Sequence, residues 1–278
     1  MPYVSVGAEN TSTIDLYYED NGSGPAVVLI HGYPLDGRSW ERQQRALIDA
    51  GYRVIAYDRR GFGLSSHPTA GYDYDTFAGD LDTLLHVLDL HDAALVGFSM
   101  GTGEVIRYLG SYGSSRISKA ALLAALPPFL LQTDDNPEGV DGTVFRDIKE
   151  AICTDRYTYF DAFFAAFYNT DILMPDRISA AVVRANVATA NQSSSFASLA
   201  SVDAWLTDFR ADLPRIDVPV LVVHGAEDRI LPIDATARRL PGLLADCTYR
   251  EILDGPHNIC WTHAEETNAA LLDFLANH

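Results

Sequence analysis

The sequence predicts an α/β fold: a mostly parallel sheet with helices on both faces, into which a run of helices is inserted. Three observations predict it. Short all-apolar runs, as strands covered on both faces must be, alternate with segments of helical periodicity. The alternation stops at Pro127-Pro128, where proline ends a strand. Two apolar runs then return in the last quarter of the chain.

Residues 13–18 alternate polar and apolar and read as an antiparallel strand near an edge. Asn21-Gly22-Ser23-Gly24-Pro25 reads as a turn. Residues 26–30, 54–57 and 94–98 read as buried strands, and 120–126 as a further one. Helical segments run from Trp40 toward Ile48 and over 76–88, the second with Phe77, Leu81, Leu84, Leu85 and Leu88 on one face. From 127 to about 213 the pattern is helical with polar joints. There Phe160, Phe163, Phe164 and Phe167 recur at the spacing of a helix's core face, and one or two of them are candidates to line a substrate pocket. Strands return at 218–223 and 248–253, and a last helix covers 264–275. This divides the chain into a sheet-based core, residues 1–126 and 212–278, and a helical lid, residues 127–211.

Bulk properties exclude several function classes. The 278 residues are enough for a large single core, with or without an inserted lobe. The net charge of −18 repels phosphate backbones and anionic membranes, so neither nucleic acid nor a membrane is an expected partner. Cys153, Cys247 and Cys260 form no C-x-x-C pair, which suggests no disulfide framework and no zinc site. The N-terminus lacks the basic start and apolar core of a signal peptide, and no apolar run reaches the ~18 residues of a membrane span. A cytoplasmic protein is expected, and a homo-oligomer is left open.

Gly97-Phe98-Ser99-Met100-Gly101 is the chemically informative stretch. It lies between an apolar strand and a helical pattern, so it reads as strand, sharp turn, helix. Such a turn strains its central residue, needs glycine on either side, and presents the Ser99 hydroxyl at the end of the sheet. A G-x-S-x-G string alone arises by chance in roughly one chain in ten of this length. What strengthens it is a base and an acid in matching places.

A serine hydroxyl is a poor nucleophile until a base takes its proton, and histidine suits the task near neutral pH. Of eight histidines, His278 is terminal, while His86 and His91 flank a helix end. His67 precedes a proline, and His263 starts the last helix. His31 and His224 each follow a buried strand and precede glycine, where histidine usually holds a turn. His257 stands in the loop after the last strand, at the carboxyl end of the sheet where Ser99 points, and is the expected base. Asp228, in the loop after the preceding strand, is favoured as its orienting acid over Glu227 and Asp254. The Met100 N–H, at the start of the helix, and the Tyr33 N–H, in the turn after the first buried strand, are the expected oxyanion donors. The glycine-rich loop 58–65 lacks a Walker lysine and reads as a structural turn. No metal and no cofactor is called for.

The order Ser, Asp, His, together with these motifs, resembles the α/β-hydrolase superfamily along the whole chain. Residues 30–41, 57–63, 97–104, 133–139 and 254–257 are similar to the bacterial cofactor-free haloperoxidases, a group that also contains esterases, perhydrolases and γ-lactamases. The resemblance implies an α/β-hydrolase fold with Ser99, Asp228 and His257 as the triad and Tyr33 and Met100 at the oxyanion hole. It implies halogenation through a peracid, with no haem or metal. The chain departs from the pattern at Tyr33, Thr102 and Asn258, where Trp or Phe, glycine and glycine are usual. Hydrolysis of small apolar esters is the first expectation. Perhydrolysis, or opening of a lactone or γ-lactam by the same residues, is the second. A non-catalytic receptor on the same scaffold is a remote third.

Overall fold

The computed structural model describes residues 2–277. Met1 lies outside them, as does His278, which the sequence sets aside as a terminal histidine. Eight strands form one sheet: β1 Tyr3–Glu9, β2 Ser12–Gly22, β3 Ala26–Ile30, β4 Arg53–Tyr57, β5 Ala93–Phe98, β6 Ile117–Leu123, β7 Val220–Gly225 and β8 Cys247–Ile252. Their order across the sheet is β1-β2-β4-β3-β5-β6-β7-β8. β1 pairs antiparallel with β2, and β2 with β4; all the other pairs are parallel.

Every residue of β5 and β7 is buried, and so are Val27–Ile30 of β3. A strand hidden along its whole length must be covered on both faces. Helices supply the cover in two groups. α2 (Tyr74–Val87) packs on α3 (Met100–Tyr112), while α1 (Glu41–Asp49) packs on the C-terminal helices Ile259–Thr262 and Ala264–Asn277. α2 starts where the Asp73 carboxylate accepts the Thr76 N–H at 2.9 Å, which satisfies one of the orphan donors of the first turn.

Between β6 and β7 stand α4 (Gly142–Phe167), α5 (Thr170–Leu173), α6 (Ala180–Asn191) and α7 (Ser195–Ala204). α4 is in effect two helices. Asp155 leaves helical geometry at φ −158 and ψ 92, and its carboxylate accepts the N–H groups of Tyr157 and Thr158, capping the second half. Phe160, Phe163, Phe164 and Phe167 all lie on that second half and are all buried.

The larger departures of element boundaries from the sequence expectation fall at β1, β2, β6 and β7; elsewhere the ends shift by one or two residues. β1 was not expected; its polar residues alternate on an exposed edge, so no apolar run marks it. β2 continues through Asn21-Gly22 to pair with Arg53 and Val54, which confines the turn to residues 23–25. β6 begins three residues early because Lys119 hides in the strand and donates to the Leu275 carbonyl at 2.9 Å. It ends early because Ala124 turns to φ 51. β7 starts after Pro219, which has no N–H for the ladder, and runs on through His224-Gly225.

Candidate active site

Parallel strands deliver four loops to one edge of the sheet, at their carboxyl ends. Ser99 follows β5, the turn His31-Gly32-Tyr33 follows β3, Asp228 follows β7 and His257 follows β8. Ser99 sits at φ 53 and ψ −121, a conformation that costs a residue with a side chain about 1–3 kcal/mol. The flanking glycines have a steric reason. A Cβ on Gly101 would stand 2.2 Å from the Ile30 carbonyl oxygen, and one on Gly97 would stand 2.6 Å from that of Gly101.

His257 Nε2 lies 2.8 Å from Ser99 Oγ, and its Nδ1 lies 2.7 Å from Asp228 Oδ2. A carboxylate only accepts, so Nδ1 carries the proton and Nε2 is left to accept the serine hydroxyl. The other Asp228 oxygen accepts the Ile230 and Leu231 N–H groups, each at 2.8 Å. Burial alone would raise the Asp228 pKa. The electrostatic interaction with His257 and donation from the His224 and His257 rings outweigh it, and hold the carboxyl well below the usual range. The acid therefore stays ionised at neutral pH. Phe98 and Phe167 pack against the His257 ring, with centroids at 5.2 and 5.0 Å.

The β3 turn lies against the serine turn: a Cβ on Gly32 would come within 2.9 Å of Ser99 Cβ. Met100 is the first residue of α3, so its N–H has no partner within the helix. Neither this N–H nor that of Tyr33 donates to a protein acceptor among the described residues. The pair can therefore receive a developing oxyanion.

His31 holds the turn. Its Nε2 accepts the Arg59 N–H at 2.9 Å, so Nδ1 carries the proton and donates to the Gly32 carbonyl at 2.9 Å. That carbonyl belongs to the same peptide unit as the Tyr33 N–H. Arg59 also donates to the His31 carbonyl at 3.0 Å and pairs with the fully buried Glu104 of α3 at 2.7 Å. The loop after β4 thus ties the β3 turn to the serine helix, and its arginine side chains face inward.

The acids set aside earlier go elsewhere. The Glu227 side chain is exposed. Asp254 lies 3.2 Å from His263 Nε2 and 3.6 Å from Arg177, not on His257. His224 does more than its place before a glycine suggests. Its Nε2 is 3.0 Å from the Leu231 carbonyl and 3.1 Å from Asp228 Oδ2. A histidine four residues before the acid was the available signal.

A cavity of about 180 Å³ opens on Ser99. Tyr33, Leu130, Ile148, Phe163 and Trp205 are among its walls. Of the four phenylalanines singled out in the sequence, Phe163 lines it and Phe160, Phe164 and Phe167 do not. The Tyr168 hydroxyl accepts from Asn186 and Asn258 at 2.8 and 3.0 Å, in a separate groove. Trp205 was missed. It follows α7, and its ring meets Tyr33 edge-on at 4.8 Å. No group of three or more His, Cys, Asp or Glu residues among the described residues could hold a metal ion. No helix among them is long and apolar enough to cross a membrane.

Comparison with known proteins bears on this arrangement. Residues 25–264 match the family model described as the alpha/beta hydrolase fold. The chain is 59% identical over 275 residues to a Synechocystis sp. protein provisionally named a non-heme chloroperoxidase, covering 99% of this chain and 100% of that one. It is 31% identical over 267 residues to a bifunctional esterase/perhydrolase of Acinetobacter calcoaceticus, covering 94% and 96% of the two. The solved bromoperoxidase of Bacillus anthracis is similar over 99% of both chains, at 42% identity and a TM-score of 0.95. By the family match and these relatives, the chain belongs to the α/β-hydrolase superfamily, among the proteins named non-heme haloperoxidases and perhydrolases.

Proposed function

We propose that the protein is a serine hydrolase that cleaves small apolar carboxylic esters through an acyl-enzyme. The observation that carries this reading is the unbroken relay from Asp228 through His257 to Ser99, opening into an apolar cavity. Ser99 Oγ attacks the ester carbonyl as its proton passes to His257 Nε2. The carbonyl oxygen becomes an oxyanion held by the Tyr33 and Met100 N–H groups, each such donor worth about 3 kcal/mol. Collapse expels the alcohol, which takes the proton from His257. Water then gives a proton to His257 and attacks the acyl carbonyl. The second collapse returns the proton to Ser99 and frees the acid. Residues 127–211 act as a lid that shapes the cavity, and their apolar faces disfavour acyl groups bearing charge.

The relatives favour a second acceptor at the same acyl-enzyme. One is named an esterase/perhydrolase and others are named haloperoxidases. Hydrogen peroxide in place of water releases a peracid, which oxidises halide in solution. A panel of p-nitrophenyl esters, lactones and γ-lactams, each run with and without peroxide, tests both readings. Short uncharged acyl esters are expected to turn over fastest, with peracid formed when peroxide is present. Absence of turnover across all the esters would overturn the esterase reading.

A further inference from the structure

Four side chains of the cavity on Ser99 carry a hydroxyl or a charge: Ser99, Tyr33, Arg229 and Tyr159. Three of them are engaged. Ser99 Oγ meets His257 Nε2 at 2.8 Å. The Tyr33 hydroxyl donates to the Ser198 carbonyl at 3.2 Å. Arg229 pairs with Asp171 at 2.7 Å. Tyr159 is different. Its ring packs on Phe160 and Phe163, with centroids 5.6 and 5.9 Å away, yet its hydroxyl meets no protein donor or acceptor among the described residues.

A phenol in such surroundings has consequences. Burial pushes its pKa up, so it stays neutral and remains both donor and acceptor wherever the enzyme works. Phenylalanine would fill the same wall without leaving a hydroxyl to be served. Most of a small-molecule pocket is apolar surface, and a few placed polar groups set orientation. Here the unserved hydroxyl is that of Tyr159.

We propose that Tyr159 is a specificity-determining residue that hydrogen-bonds a second oxygen of the substrate, beyond the scissile carbonyl. The substrate class is then a small ester or lactone that also carries a hydroxyl, ether or keto oxygen, rather than a plain alkyl ester. This rests on the reading of Ser99 as nucleophile and deepens it.

The test is Tyr159→Phe assayed on matched pairs of esters, with oxygen replacing one methylene or added as a hydroxyl. One series varies the acyl chain of p-nitrophenyl esters; the other varies the alcohol of butyrate esters. Ser99→Ala runs beside it on every substrate. In the wild type, at least one oxygenated ester should exceed its alkyl partner in kcat/KM. Tyr159→Phe should cut kcat/KM for that ester about tenfold or more, the usual scale for a lost buried hydrogen bond, and leave the alkyl partner within about twofold. Equal effects on both members of every pair, or none on either, would overturn the role given to Tyr159. Activity surviving in Ser99→Ala would instead overturn the nucleophile, so the two failures are distinct. Phenylalanine keeps the ring packing, and an unchanged melting temperature confirms that the comparison is of folded proteins.

Discussion

The loops that meet at Ser99 and the helices that roof it are built on different rules. Each relay residue stands a few positions past the end of a strand, and the strands are locked in register by the ladder. Its side chain is then fixed by hydrogen bonds of 2.7–2.8 Å. The cavity wall is made by side chains of α4 and the segments around it, held by ring contacts and burial rather than by directional bonds. Placement by strand and hydrogen bond gives chemistry that tolerates little change. Placement by packing gives a wall that can change residue by residue. The two regions should therefore answer mutation differently, in rate on one side and in substrate preference on the other.

The largest expected effect is on the relay. Ser99→Ala should lower kcat by on the order of a million-fold, with the melting temperature nearly unchanged. A variant that kept a tenth of the rate would remove Ser99 from its role. Next is the acid. Asp228→Asn should cost about ten-thousand-fold by spoiling the tautomer of His257, whereas Glu227→Gln, on an exposed side chain, should stay within about threefold. Comparable losses from both would break the assignment of Asp228.

The wall gives the smaller and more graded effect. Phe163 and Phe160 lie on the same face of one helix, but only Phe163 lines the cavity. Both changes to Ala should lower stability, by up to about 3–5 kcal/mol for the fully buried Phe160. Only Phe163→Ala should move the preferred acyl length upward. Acyl-chain profiles and melting temperatures measured on the same two variants decide this. A profile that shifts for Phe160→Ala and not for Phe163→Ala would contradict the account of the wall.

The same division explains what was legible in the sequence. β3, β4 and β5 declare themselves as apolar runs, and Ser99, Asp228 and His257 are found by their places after strands. The turn chemistry at Gly97 and Gly101 was readable for the same reason, because a strand-to-helix corner leaves no room for Cβ. Other features depend on contacts made from far along the chain. Lys119 reads as a strand breaker until the Leu275 carbonyl is placed beside it. Asp155 looks like one more polar helix residue until it caps a second helix. The helical spacing of the phenylalanines locates a buried face but not which ring meets a cavity, so Phe163 could not be told from Phe160, Phe164 and Phe167, and Trp205 gave no signal.

The central claim is that Ser99 forms a covalent bond with the substrate's acyl group. A serine-directed phosphonate of small alkyl size, followed by intact-mass measurement and peptide mapping, tests it most directly. The account predicts one adduct per chain, on the peptide that contains Ser99, with loss of activity in step with labelling and no adduct on Ser99→Ala. An adduct on another residue, or full labelling with activity retained, would contradict it.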